Sequence, residues 1–180
     1  MSIKFNASVL ALASLLAVGA SQAQQTPAPA PAANPMDVVP EKMPFDVPYG
    51  APITLDRAEA VLTAALGESK NRNWKLICSV VDSGANLVSF KRMDNAQIAS
   101  IDIAIHKART AVKFRRETKV FEENIQKGFN YLITLDDVIG SRGGIPLVEG
   151  GKIMGAIGCS GGTGSQDEVV AKAGAATVNK

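Results

Sequence analysis

Two short apolar runs, Ile145 to Val148 and Ile153 to Cys159, flank the pair Gly150-Gly151 and constrain the fold of this chain more than any other feature. Two adjacent glycines accept positive φ at both central positions of a two-residue turn, so the runs are expected to pair as a tight β-hairpin. Ser160-Gly-Gly-Thr-Gly164 then leads into a helix whose start is expected at Ser165, because Glu168 follows three residues later with the spacing of a capping box.

The rest of the C-terminal part extends that pattern. Thr54 can cap a helix in which Leu55, Ala58, Leu62, Ala65, Leu66 and Ser69 fall on one stripe. Leu76 to Val81 and Leu87 to Phe90 form a first hairpin around the turn residues Asp82-Ser-Gly-Ala-Asn86. Ile98, Ile101, Ile105, Ala108 and Val112 mark a second amphipathic helix, expected to be the longest of the domain, whose polar face carries Asp102, His106, Arg109 and Lys113. A shorter helix runs from Thr118 to Gln126, and Tyr131 to Thr134 is a further strand or an extended connector. Strands that come as hairpins make a mainly antiparallel sheet, so the expected fold is α+β, with about five strands flanked by helices in layers.

The N-terminal stretch obeys different rules. Lys4, the apolar run Ala7 to Val18 and the small-x-small site Ser21-Gln22-Ala23 have the layout of a secretory leader cleaved near Ala23, so residues 1–23 are expected to be a signal peptide. The apolar run is too short for a stable membrane anchor, which needs about 20 residues. Residues 24–50 hold seven of the nine prolines and are expected to be a disordered arm or linker. Residues 51–180 then form one domain, periplasmic or secreted. Cys78 and Cys159 lie in separate expected strands, and export permits a disulfide between them, but spacing alone decides neither this nor two buried thiols. The formal charge of +2 falls to +1 with the loss of Lys4, and the basic residues form no long block, which argues against a nucleic-acid partner.

Few residues offer chemistry. Gly158 to Gly164 suggests a phosphate cradle, but no Gly-Lys-Ser/Thr ending follows and Asp167 and Glu168 put negative charge at the helix start, so the glycines are assigned to backbone geometry. Asp82 and Asp94 bracket the first hairpin with Arg92 between them, as turn residues do, and Asp136, Asp137 and Arg142 fall in a polar loop that could line a pocket. His106 is the only histidine. It is either a solvated side chain or an axial ligand to haem iron, with neighbouring cations meeting the propionates. Met93, Cys78 and Lys107 are weaker donors for the same coordination, and no CxxCH attachment motif is present.

Three groups of residues in order resemble the GlcG/HbpS-like family, also called the haem-degrading domain family (DUF336), which includes the C-terminal domain of a cobalamin-pathway adenosyltransferase. They are Val81-Asp82-x-Gly84 with Leu87-Val88-x-Phe90-x-Arg92-Met93-Asp94; Ala104-x-x-Lys107-Ala108-x-Thr110-Ala111 with Phe114 and Thr118; and Gly144-Ile-Pro-Leu-Val, Gly155-Ala-Ile-Gly-x-Ser-Gly161 and Gln166-Asp167. The resemblance spans about Thr54 to Ala176 and implies an antiparallel sheet with flanking helices, a homo-oligomer, and a haem or related tetrapyrrole ligand. Asp82, Lys107 and Thr110 match its motifs, whereas His106 does not and is assigned from its chemistry. The expected cofactor-binding set is therefore His106, Lys107, Arg109, Thr110, Asp82 and Met93, with His106 on the iron and no catalytic residue assigned. The expected function is an exported small-molecule binding protein for haem or a related tetrapyrrole, linked to haem sensing or degradation. Two alternatives stand beside it: an enzyme acting on haem or a small organic acid, and an oligomeric scaffold presenting the proline-rich arm.

Overall fold

The computed structural model describes residues 39–179, so the expected leader and most of the proline-rich arm lie outside the described residues. From Pro40 onward the chain forms one unit whose elements, in order, are α1 (Leu55–Asn71), β1 (Ile77–Asp82), β2 (Leu87–Arg92), α2 (Ser100–Lys113), α3 (Lys119–Gln126), a 3-10 turn (Asn130–Thr134), β3 (Gly144–Glu149), β4 (Lys152–Ser160) and α4 (Gly164–Ala175). The strands lie in the order β2-β1-β4-β3, and every neighbouring pair is antiparallel. The sheet has four strands rather than about five, because Tyr131 to Thr134 belongs to the 3-10 turn.

The central strands are buried on both sides, which is why Ile77-Cys-Ser-Val-Val81 reads as a continuous run rather than an alternation. α1 and α4 pack against one hydrophobic cluster that includes Leu62, Cys78, Ile157 and Val170, and α2 packs on a second that includes Val81, Ala108 and Ala156. Each fully buried Leu or Ile of these clusters contributes about 1.5–3 kcal/mol. α1 has 17 residues against 14 for α2, so α1 is the longest helix. It buries Ala58, Val61, Leu62, Ala65 and Ser69, while Leu55, its first residue, is exposed.

The buried face of α2 also differs from expectation. Ala104, Ala108, Ala111 and Val112 are fully buried, Ile101 and Ile105 are only half-buried, and Ile98 precedes the helix and is 78% exposed. The cause is close approach: a Cβ placed on Gly158 of β4 would sit 2.1 Å from the Ala104 carbonyl oxygen. The helix lies directly on the strand, and only small side chains fit between them.

Gly150 and Gly151 turn with φ of 55° and 74°, as the hairpin requires. The cap of α4 lies two residues before the expected Ser165: it is Thr163, whose side chain accepts from Gln166 N while the Gln166 side chain accepts from Thr163 N. Cys78 and Cys159 stand directly opposite in the β1–β4 register and form a disulfide, which resolves the alternative left open by their spacing.

The last residues of the arm run beside the sheet. β1 stops at Asp82 opposite Gly155, leaving the next stretch of β4 without a neighbour on that side. Pro48 and Gly50 take the place: Ile153 N donates to Pro48 O at 2.8 Å, and Gly50 N donates to Ile153 O at 2.7 Å. Proline lacks an N–H, but only its carbonyl is needed here. The Tyr49 hydroxyl lies 3.0 Å from the carbonyls of Val112 and Lys113, and the Arg116 guanidinium stacks 3.6 Å from the Phe45 ring centroid.

Candidate functional site

The outward face of α2 builds one wall of a cleft. Asp102, Ile105, His106 and Arg109 recur at three- and four-residue steps, so they share a face. Leu87, at the start of β2, and Asp137, in the loop after the 3-10 turn, complete a cavity of about 330 Å³. His106 is half-buried and Arg109 is exposed, so an imidazole and a guanidinium border the same apolar surface of Leu87 and Ile105.

Two of the expected site residues brace this cleft without lining it. The Asp82 carboxylate accepts from Gly84 N at 2.8 Å and Asn86 N at 2.9 Å, closing the β1–β2 turn. That turn presents the Ala85 carbonyl to Arg109 Nε at 3.3 Å and fixes the guanidinium at the cleft mouth. On the far side, the buried Thr110 hydroxyl donates to Asp137 O at 2.5 Å and accepts from Ile139 N at 3.1 Å, holding the loop against the helix. Lys113 hydrogen-bonds the Asp137 carboxylate; this bond, ahead of the nearby positive charges of Lys113 and Arg109, keeps its pKa below the ordinary carboxylate value.

Lys107 and Met93 go elsewhere. Lys107 is 1% exposed and its ammonium donates to Asp167 of α4 at 2.7 Å. Burial pushes the Asp167 carboxyl above its ordinary value, against the pull of Lys107 and the N–H groups of Gly162 and Gly161. Gly162 N donates to Asp167 Oδ1 at 3.0 Å and Thr163 N to Gln166 Oε1 at 2.9 Å. These amides of the glycine loop are therefore taken by side chains of the first turn of α4, Gln166 and Asp167. Met93 lies in a separate cavity at the open end of the β1–β2 hairpin. Cys78, in its disulfide, has no thiolate to offer a metal.

The cleft residues missed as a set, Leu87, Ile105 and Asp137, carried partial clues. The spacing of Ile105 fits both faces at the stripe's edge and so reads as core, and Asp137 reads only as part of a polar loop. Among the described residues, no three His, Cys, Asp or Glu side chains converge on a possible metal position. His106 is thus a single donor, which suits a metal already held by a macrocycle. A tetrapyrrole would also use the apolar wall and a cation for its carboxylates, and Leu87, Ile105 and Arg109 supply these. A cavity of about 330 Å³ would enclose only part of a macrocycle, and the rest would lie outside the cleft. No helix among the described residues is long and apolar enough to cross a membrane.

Fold and cleft together define a small α+β domain with a cavity of about 330 Å³ on the outward face of α2. Residues 53–176 match the family model described as haem degrading protein HbpS-like, and the chain belongs to that family. Protein GlcG of Escherichia coli is 41% identical over 103 residues, covering 57% of this chain and 77% of that protein. Among solved structures, a double mutant of HbpS from Streptomyces reticuli superimposes with a TM-score of 0.68 at 28% identity, over 83% of this chain and all of the other. A PduOC structure solved as a complex with haem gives a TM-score of 0.65 at 25% identity, over 72% of this chain and 96% of that one.

Proposed function

We propose that this protein is an exported binder of haem or a related tetrapyrrole, held at the His106 cleft. One observation carries the reading: in a chain of the HbpS-like family, the only histidine borders a cleft whose Leu87 and Ile105 surface lies beside a guanidinium that the β1–β2 turn holds in place, with Asp102 and Asp137 also in the lining. In this arrangement the His106 imidazole would hold the iron, Leu87 and Ile105 would pack on the macrocycle, and Arg109 would meet a propionate. The haem structure of the PduOC relative supports the ligand class. A second copy of this chain, as a homo-oligomer provides, would cover the part of the macrocycle that the cleft leaves outside.

Export is supported by the leader-like layout of residues 1–23 and by the Cys78–Cys159 bridge, because disulfides persist in oxidising compartments. The test has two arms. Titration with hemin is expected to give a saturable Soret band that shifts in His106→Ala; absence of saturable change at micromolar hemin would remove the ligand. Mass spectrometry of the protein from the periplasm or medium is expected to find an N-terminus at Gln24, and full-length chain confined to the cytosol would remove the export.

A further inference from the structure

The end of the β1–β2 hairpin away from its turn gathers four cations, against which stand two carboxylates, Glu59 on Lys91 and Asp94 in the lining. The register pairs Ile77 with Arg92 and Cys78 with Lys91, so Lys75, two residues before Ile77, reaches the same end. Lys70 comes to it from the last turn of α1. These four cations, with Leu66 and Met93 as apolar lining, border a cavity of about 670 Å³, twice the volume of the His106 cleft. Asp94 is the only carboxylate in the lining. Lys91 is engaged by Glu59 at 2.5 Å and Lys75 by the Asn73 side-chain oxygen at 3.2 Å, while Lys70 and Arg92 form no ion pair among the described residues.

We propose that this basin is a second binding site, independent of the His106 cleft, for a small anion carrying two or more phosphate or carboxylate groups. Cations lining one concavity repel one another and raise the local potential for anions, so a multivalent anion gains from all of them at once. Arg92 offers a planar fork that matches either oxyanion, and the lysines act as point charges that tolerate varied spacing. Leu66 and Met93 give the carbon skeleton of such a ligand an apolar surface, which a bare inorganic ion would not use. The site does not depend on tetrapyrrole binding: it shares no lining residue with the His106 cleft.

The experiment is calorimetric titration of the whole protein at physiological salt with two probes, inorganic pyrophosphate and citrate. Saturable binding with one site per chain is expected for at least one of them, and the stronger probe identifies phosphate or carboxylate as the preferred group. The pair Lys70→Glu/Arg92→Glu is expected to weaken that binding at least tenfold. The control pair Lys127→Glu/Lys152→Glu, with the same charge change on exposed residues outside the basin, should alter it less than twofold. Both pairs are first checked for an unchanged thermal melt without ligand, and Arg92→Gln replaces the double variant if it melts early. His106→Ala should leave anion binding intact. Binding of neither probe, equal losses in both charge-reversal pairs, or stoichiometric displacement of the probe by hemin would each overturn the proposal.

Discussion

The Lys107 ammonium meets the Asp167 carboxylate at 2.7 Å with both side chains withdrawn from solvent, so α2 on one face of the sheet is ion-paired to α4, which packs with the other. Two charges removed from water are tolerated only together. Losing one partner leaves the other unpaired at a cost of about 3–5 kcal/mol, whereas replacing both by apolar groups is often neutral. Lys107→Met and Asp167→Leu should each destabilise by that order, and the double variant should recover at least half of the summed loss. Urea unfolding of the four proteins measures this; additive losses would show that the pair is not coupled.

Acid should act on the two neighbouring carboxylates of α4 with opposite sign. Burial alone would raise the Glu168 carboxyl, but its hydrogen bond from Lys172 and the charges of Lys172, Lys119 and Arg142 hold it below its ordinary 4.5. A depressed folded-state pKa stabilises above the unfolded value and is lost as pH falls through the folded one. Asp167, raised by burial, stabilises fully below its ordinary 3.8 and loses that contribution as pH rises through its folded value. The stability lost on Glu168→Gln should therefore shrink between pH 5 and pH 3 (roughly the carboxylate range), measured by denaturant unfolding at each pH. A loss that stays constant across that window would contradict the assignment.

The Cys78–Cys159 bridge closes a loop with a sequence separation of 81 residues across the two central strands. Constraint of the unfolded chain by a loop of this length is worth about 4 kcal/mol in the entropic account, and less where the reduced chain keeps structure. Cys78→Ala/Cys159→Ala, or reduction under denaturant, should lower stability by about 2–4 kcal/mol with the fold retained. Far-ultraviolet circular dichroism and urea midpoints report both quantities; an unchanged midpoint would mean that the bridge is not formed in solution.

Thr110 is a positioning residue. Thr110→Val keeps its shape but orphans Asp137 O and Ile139 N, which should cost about 1–3 kcal/mol and free the loop that forms one wall of the cleft. Hemin affinity should fall while the Soret position stays that of wild type, because His106 is untouched. A shifted Soret band with normal affinity would instead place Thr110 on the ligand.

How far the sequence could be read depends on how local each cause is. The Gly150-Gly151 hairpin follows from backbone freedom within two residues, and it forms as expected. The cap of α4 is Thr163 rather than Ser165, because Thr163 with Gln166 and Ser165 with Glu168 carry overlapping capping spacings and only packing selects between them. Lys107 reads from the sequence as a cofactor-binding residue, and its burial against Asp167 is not legible there, since the two lie 60 residues apart and no spacing rule links them. The α2 stripe was misplaced for a similar reason: isoleucines outweigh alanines in any hydropathy pattern, but a helix seated directly on Gly158 buries alanines. His106 and Arg109 could be paired because one helix carries both, whereas Leu87 and Asp137 join them only through tertiary structure.

The central claim rests on His106, and a hemin titration of wild type beside His106→Ala, followed by absorbance, tests it most directly. A saturable Soret band in the wild type, with a shifted band and at least tenfold weaker binding in the variant, is the predicted result. Identical spectra and affinities in the two proteins would contradict it.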